Sequence, residues 1–407
     1  MTSFSHTTKI NKEGEAMEND IFKILFPKYY LNGKKVRLIE LFGGIGSQAK
    51  AFEILNKNYP NEVIFEHYRL VEFDEKCIIS YNAIHNTKFK VLDITELSAN
   101  DLGIKADDGY IYVLTYSFPC QDISTAGLQK GFVEGSGTRS SLLWEVVRLL
   151  NELSRKQLPQ VLLMENVAAL ENSRNIEGFR KLQAQLEKLG YKNYVEQLNL
   201  KDFGIPQNRL RCFMISIKGN YDYAFPQSIP LQHFLQDFLQ DIEEIDDQYF
   251  LSPNLLNLFL DKKPHGGYVR FLRFKPFYYD SKDIAWTLET RQGGHPNNNY
   301  ILYPKEMYNK NKNVGIMTRD NKDFVARNLT PYECFSIMGF EPKDYDKVKM
   351  FISPTQIIKQ TGNSIGVTVL IAIISKLYKD IDCEKVINQY VQDIFNEHNF
   401  RKKFPKI

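Results

Sequence analysis

Between residues 34 and 72 the hydrophobic pattern changes period three times. VRLIELF is a short apolar run that reads as a strand, GGIGS is a tight turn, QAKAFEILNKN spaces its apolar residues along one helical face, and VIFEHYRLVEFD returns to a strand. Together they make a β-α-β unit. The alternation continues with a helix at EKCIISYNAIH, a short strand at FKVLDI, the strand IYVLTYSFP, a helix at SSLLWEVVRLLNEL, the strand QVLLMENV and a helix over 176–189. Strands alternating with helices predict an α/β fold, a doubly wound and mostly parallel sheet covered on both faces. After Gly190, YVEQLNL and RCFMISIK read as paired strands.

Beyond residue 218 the regular alternation stops, and Pro, Gly, Asn and aromatic residues become frequent. Residues 262–279 hold five Lys or Arg and no acid, interleaved with Tyr and Phe. Such a string suits phosphate contacts and base stacking, and it equally suits a solvated strand face with its aromatic side turned inward. The last segment, TGNSIGVTVLIAIISKLYK, has turn residues leading into an apolar helix that should pack back on the sheet. The expected organisation is a polar extension over 1–33, a large domain over 34–218, a smaller irregular domain over 219–349 and a returning segment over 350–407.

Composition narrows the setting without changing this picture. The chain has 407 residues, 43% hydrophobic and 25% charged, which suits a globular protein of one large or two modest domains. Five cysteines, an odd number with no C-x-x-C pair, fit neither a disulfide framework nor a zinc ribbon, so a reduced, cytoplasmic protein with no metal at its site is expected. The polar amino terminus lacks the apolar core of a signal peptide, and no membrane partner is expected. A net charge of +3 is too small to imply nucleic acid by itself.

In an open α/β sheet, ligands bind outside the carboxyl ends of the strands. The residues there are Phe42 to Gly46, Glu72 to Asp74, Asp93, Pro119 to Gln121 and Glu165 to Val167. The turn FGGIG allows close backbone approach to a nucleotide-like ligand, and an acid ending the second strand can accept from ribose hydroxyls. The dinucleotide fingerprint fits poorly, because the third glycine is missing and Glu72 lies beyond the usual spacing, so a nucleoside without pyrophosphate fits better. Cys120 stands apart from Cys77, Cys212, Cys334 and Cys383, which sit in apolar helical or strand contexts. It follows Pro119 at a strand end and precedes a long Gly-rich stretch, QDISTAGLQKGFVEGSGTR, of the kind that closes over a substrate.

In order along the chain stand IELFGGIGSQ, VEFD, LDIT, SFPCQDISTAG, LLMENV, QNRLRCF, ARNLTPYECFSIMGF and QTGNSIGVT. This series resembles the cytosine-5 DNA methyltransferases of bacterial and phage restriction-modification systems, from about Leu38 to Thr368. The resemblance implies S-adenosylmethionine as cofactor and double-stranded DNA as partner. It implies Cys120 as the nucleophile that adds to carbon 6 of a flipped cytosine, and Glu165 as the group that hydrogen-bonds or protonates ring nitrogen 3. It assigns Arg209 and Arg211 to the base oxygen and an adjacent phosphate. It assigns Phe42, Gly44, Gly46, Glu72, Asp93, Pro119 and Asn363 to the cofactor, and Gln121, Ser124, Asn166, Gln207 and Thr287 to the substrate side. Glu40 stands where the family often has aspartate and Ser47 where it has glycine. The variable region, with Thr287 and Leu288 of AWTL, is implied to set sequence specificity. A tRNA cytosine methyltransferase on the same motifs is the alternative, and a monomer, with or without a companion restriction endonuclease, is expected.

Overall fold

The computed structural model describes residues 27–119, 123, 139–260, 277–278, 282–290, 299–308, 313–319 and 321–403. Its large sheet is built from β1 (Lys35–Leu41), β2 (Ile64–Val71), β3 (Ile111–Tyr116), β4 (Val161–Val167), β5 (Tyr191–Asn199) and, after the two-residue β6 (Gln207–Asn208), β7 (Leu210–Lys218). The spatial order is β2-β1-β3-β4-β7-β5. The first four strands are parallel, and β7 runs antiparallel to both β4 and β5. The fold is α/β with a mixed sheet.

Side-chain alternation covers both faces of this sheet. Val36, Leu38, Val113, Val161 and Leu163 point into one core with α1 (Ser47–Asn58) and α2 (Glu75–His85). Their neighbours Ile39, Leu41, Leu114, Leu162 and Met164 point into a second core with α3 (Leu143–Glu152) and α4 (Ile176–Lys188). Period two in the strands thus serves two helical layers, which is why the strand sequences read as nearly continuous apolar runs.

The strand expected at FKVLDI does not form. Asn82 clamps Phe89 instead, its Nδ2 donating to the Phe89 carbonyl and its Oδ1 accepting from the Phe89 N–H, both at 2.9 Å. One backbone bond, from Leu92 N to Glu72 O, ties the segment to the end of β2. Val91 is 45% exposed, so the alternating residues have no second layer to bury against.

A second sheet has the order β11-β12-β10-β8, from β8 (Phe277–Tyr278), β10 (Tyr300–Pro304), β11 (Ile316–Arg319) and β12 (Lys322–Asn328). It is preceded by α5 (Pro253–Leu260), while β9 (Ala285–Trp286) leaves it to pair with β6. The chain then runs through α6 (Pro331–Ser336), α7 (Pro342–Lys349), α8 (Pro354–Asn363), α9 (Val367–Ser375) and α10 (Cys383–Lys403). Leu329, Phe335, Met338 and Val348 already belong to the core under β1 and β3, so the chain rejoins that core ahead of residue 350. Arg327 and Glu333 mark the re-entry, a fully buried pair with two bonds of 2.8 Å. TGN, expected as a turn, is the last turn of α8, where Thr361 Oγ1 donates back to the Ile358 carbonyl. The stretch Pro354–Ser375 is apolar enough to cross a membrane by composition, but 89% of its apolar 18-residue window is buried inside the fold as a core element.

Candidate active site

The sheet order reverses direction at β1, whose neighbours are β2 on one side and β3 on the other, and such a switch point opens a crevice at the carboxyl ends. Leu41 pairs with Tyr116 and Tyr116 with Met164, so the segments leaving β1, β3 and β4 emerge side by side. Arg211 opens β7 opposite Val167. Because β7 is antiparallel, its beginning reaches the edge where the parallel strands end.

The turn after β1 is strained at Phe42, whose φ of 57° puts a non-glycine residue in the left-handed region. That conformation costs on the order of 1 kcal/mol or more and is concentrated at functional sites. Gly46 also has positive φ and lies so close to α2 that a Cβ there would meet His85 Nε2 at 2.2 Å. Gly44 N donates to Glu72 Oε2 at 3.0 Å, and Asp74 N donates to Oε1 at 2.9 Å. Burial pushes the Glu72 carboxyl up, and these two backbone donors only partly oppose the shift. Asp93 is exposed and caps the short turn Ile94–Glu96, accepting from Thr95 N at 2.9 Å and Thr95 Oγ1 at 2.8 Å. The bond from Leu92 to Glu72 sets it beside the end of β2.

Cys120, Gln121, Ser124 and the Gly-rich stretch up to 138 lie outside the described residues, apart from Ile123. The approach to Cys120 is described and is held twice. Asn166 Nδ2 donates to the Phe118 carbonyl at 3.0 Å, and Ser140 Oγ donates to the Pro119 carbonyl at 2.6 Å. Ser140 was not a sequence candidate, since a serine just before a helix carries no sign that it reaches back 21 residues. The thiols of Cys77 and Cys212 are pushed up by burial, which fits the reading of both as packing residues.

Glu165 is 9% exposed, and Arg211 Nε lies 3.2 Å from its Oε1. Burial pushes this carboxyl above the ordinary carboxylate range, against the smaller pull of Arg211 and Arg209. The two arginines differ sharply in surroundings. Arg211 is part-exposed beside Glu165 and donates to the Leu210 carbonyl. Arg209 is 3% exposed and donates through Nη2 to the carbonyls of Gly362 at 2.9 Å and Ser364 at 2.6 Å, and through Nη1 to Leu288 at 3.4 Å. Asn363, exposed at the end of α8, is therefore flanked by two carbonyls that Arg209 pins.

Gln207 and Thr287 hold together the β6–β9 pair. Gln207 is fully buried, accepts from Leu288 N at 3.0 Å and donates to the Ile337 carbonyl at 2.7 Å. Thr287 Oγ1 donates to the Asn208 carbonyl at 2.8 Å. Gly362 is pressed against the same segment: a Cβ on it would stand 2.7 Å from the Glu289 carbonyl oxygen.

Residues 36–379 match the family model of C-5 cytosine-specific DNA methylases. The chain belongs to that family, and it is a DNA cytosine-5 methyltransferase; the tRNA alternative carries less support. Among curated relatives, type II methyltransferase M2.ScrFI of Lactococcus lactis subsp. cremoris is 33% identical over 394 residues, covering 84% of this chain and 99% of the relative. Orphan methyltransferase M.SssI of Spiroplasma monobiae is 32% identical over 407 residues, covering 84% and 97%. In fold, the chain is similar to the crystal structure of S. pombe Dnmt2 methyltransferase, with a TM-score of 0.59, 19% identity and coverage of 84% and 97%.

Proposed function

We propose that Cys120 adds as a thiolate to carbon 6 of a cytosine turned out of duplex DNA. The sulfur pair forms the new bond, and the electrons of the 5,6 double bond move to carbon 5. Glu165 holds nitrogen 3 with a hydrogen bond or a proton, so the ring carries less negative charge. S-adenosylmethionine, when bound, supplies an electrophilic methyl group on a sulfonium centre. Loss of the carbon 5 proton then restores the double bond as sulfur leaves. The observation that carries this reading is the pairing of Glu165 and Arg211 next to the strand end that leads into Cys120. A carboxyl whose hold on a proton burial strengthens is suited to donate to nitrogen 3, and Arg211 beside it is suited to the base oxygen or a flanking phosphate.

The residues of the β1–β3 crevice fit a nucleoside cation. Phe42 offers an aromatic face, Glu72 and Asp93 offer carboxyl oxygens for hydroxyl and amine groups, and Gly44, Gly46, Pro119 and Asn363 offer close backbone and an amide. Acids around a ligand that carries positive charge and no phosphate make electrostatic sense. On the substrate side, Gln121 and Ser124 follow the nucleophile. Asn166, Gln207 and Thr287 act by holding backbone, since their amides and hydroxyl are engaged with carbonyls. Residues 34–218 and 329–407 carry the chemistry, and the second sheet and its surroundings between them read a short DNA site and recover the few kcal/mol that flipping a base costs. The protein works as a cytoplasmic monomer, and the names of its type II relatives favour a cognate endonuclease beside it.

Duplex DNA carrying 5-fluorocytosine tests the mechanism, because fluorine cannot leave as a proton does. The expected result is a cofactor-dependent covalent complex with the wild type and none with Cys120→Ala, which keeps S-adenosylmethionine binding. Normal turnover by Cys120→Ala would end the covalent reading.

A further inference from the structure

Behind the glycine-rich turn, three side chains that the methyl-transfer reading leaves unused converge on one point. Glu53 comes from α1, His67 from β2 and His85 from the last turn of α2. Glu53 Oε1 lies 2.8 Å from His85 Nδ1 and 3.3 Å from His67 Nε2. The candidate donor atoms of all three lie within 4.8 Å of one another. The His85 side chain is fully buried, and those of His67 and Glu53 are 18% and 29% exposed.

The hydrogen bonds around this point set which ring nitrogens face it. His85 Nε2 faces the Ile45 carbonyl at 3.1 Å, a group that only accepts, so this nitrogen carries the ring proton. In the neutral ring its Nδ1 is then a lone pair aimed at a carboxylate oxygen. Tyr81 donates its hydroxyl proton to Glu40, so the Tyr81 oxygen accepts from His67 Nδ1 at 3.2 Å. That leaves His67 Nε2 as a second lone pair. Lys50 lies 3.9 Å from Glu53 Oε2 but is engaged by Glu341 at 2.5 Å and Asp344 at 2.8 Å. The carboxyls of Glu40, Glu341 and Asp344 and the ammonium groups of Lys50 and Lys343 complete the network around Glu53 and the two rings.

Metal-binding histidines donate their other ring N–H to an oxygen, as both do here. A tetrahedral ion with bonds of about 2.0–2.1 Å holds its ligands about 3.3 Å apart, which is the spacing of Glu53 from His67; His85 at 2.8 Å would move outward by about 0.5 Å to admit it. We propose that Glu53, His67 and His85 bind one divalent transition-metal ion of the zinc class, with water completing the coordination. The ion braces the cofactor turn from behind, because His85 bonds Ile45 and fills the space beneath Gly46. This goes beyond methyl transfer and does not depend on which residues perform it.

The test uses the full chain, free of any histidine tag and stripped with chelator, titrated with Co²⁺ and then Zn²⁺. The expected result is one equivalent of Co²⁺ with the visible absorption of a tetrahedral site, displaced by Zn²⁺. Zinc at a hundredfold excess over its Kd should raise Tm by about 3 °C. Glu53→Gln and His67→Gln, each confirmed folded by circular dichroism, should bind at least tenfold more weakly. A wild type that gives no Co²⁺ spectrum, or folded variants that bind as it does, would overturn the proposal and assign the space between the rings and the carboxylate to a proton.

Discussion

Replacing Arg209 by methionine separates two roles that the motif Gln-x-Arg-x-Arg merges. Methionine roughly fills the space of the buried side chain but donates nothing, so the carbonyls of Gly362 and Ser364 lose their partners at 2.9 and 2.6 Å. Hydrogen bonds from a charged donor contribute about 1.5–3 kcal/mol each, and the 3.4 Å contact to Leu288 is too long to count, so the loss is about 3–6 kcal/mol. With an unfolding entropy of about 2.1 cal/mol/K per residue, a chain of 407 residues has about 0.85 kcal/mol/K in all, and Tm should fall by about 4–7 °C. Scanning calorimetry measures this directly, with Arg211→Met run beside it. Arg211 is part-exposed and bonded only to Glu165 and its own neighbour among the described residues, so its loss should move Tm by less than about 2 °C. Its kcat should fall by on the order of a hundredfold. If Arg209→Met melted like the wild type and lost turnover instead, Arg209 would be a ligand of the base and not a clamp.

Two further substitutions probe the site and the packing of α8 on the segment after β9. Burial holds the folded Glu165 carboxyl above its unfolded value, so its contribution is fully present below the unfolded carboxylate range and is lost as pH rises through the folded value. Glu165→Gln removes that loss, so its Tm should gain on the wild type as pH rises above the unfolded carboxylate range, while turnover falls on the order of a hundredfold; a Tm difference that stays constant would contradict the shift. Gly362→Ala drives a methyl group to within 2.7 Å of the Glu289 carbonyl oxygen and should cost about 1–3 kcal/mol in thermal unfolding. An unchanged Tm would mean that the segment after β9 can retreat.

The parts of the fold that the sequence revealed are those where periodicity and burial agree. β4 reads as apolar because Val161 to Met164 pack into layers on both faces, and α2 begins at Asp74, whose side chain accepts from Lys76 N. FKVLDI misled because its β-branched and apolar residues have the composition of a strand but no neighbouring layer. Likewise Gly362 and Asn363 look like a turn until the close approach of Glu289 explains the glycine within α8. For the site, motif order brought Glu165, Arg211, Phe42 and Glu72 to one edge. It did not distinguish Arg209, which faces carbonyls across 153 and 155 residues, from Arg211, because burial is a property of the returning chain and not of the motif. Ser140 stayed hidden for the same reason.

The apolar helix α9 has a consequence for the synthesis of this protein. It shares one core with α1, β1 and β3, and Leu31 N donates to the Leu377 carbonyl, so the first layer of the large sheet is closed by residues made long after the strands they cover. At about 5–20 residues per second, a ribosome that has finished β7 works for roughly 10–30 s more before Ser375 is added. During that interval the growing chain exposes an uncovered apolar sheet face and lacks the Asn363 segment that Arg209 holds. A chain that stops short of α9 therefore lacks both the cover of that face and the carbonyls that Arg209 holds.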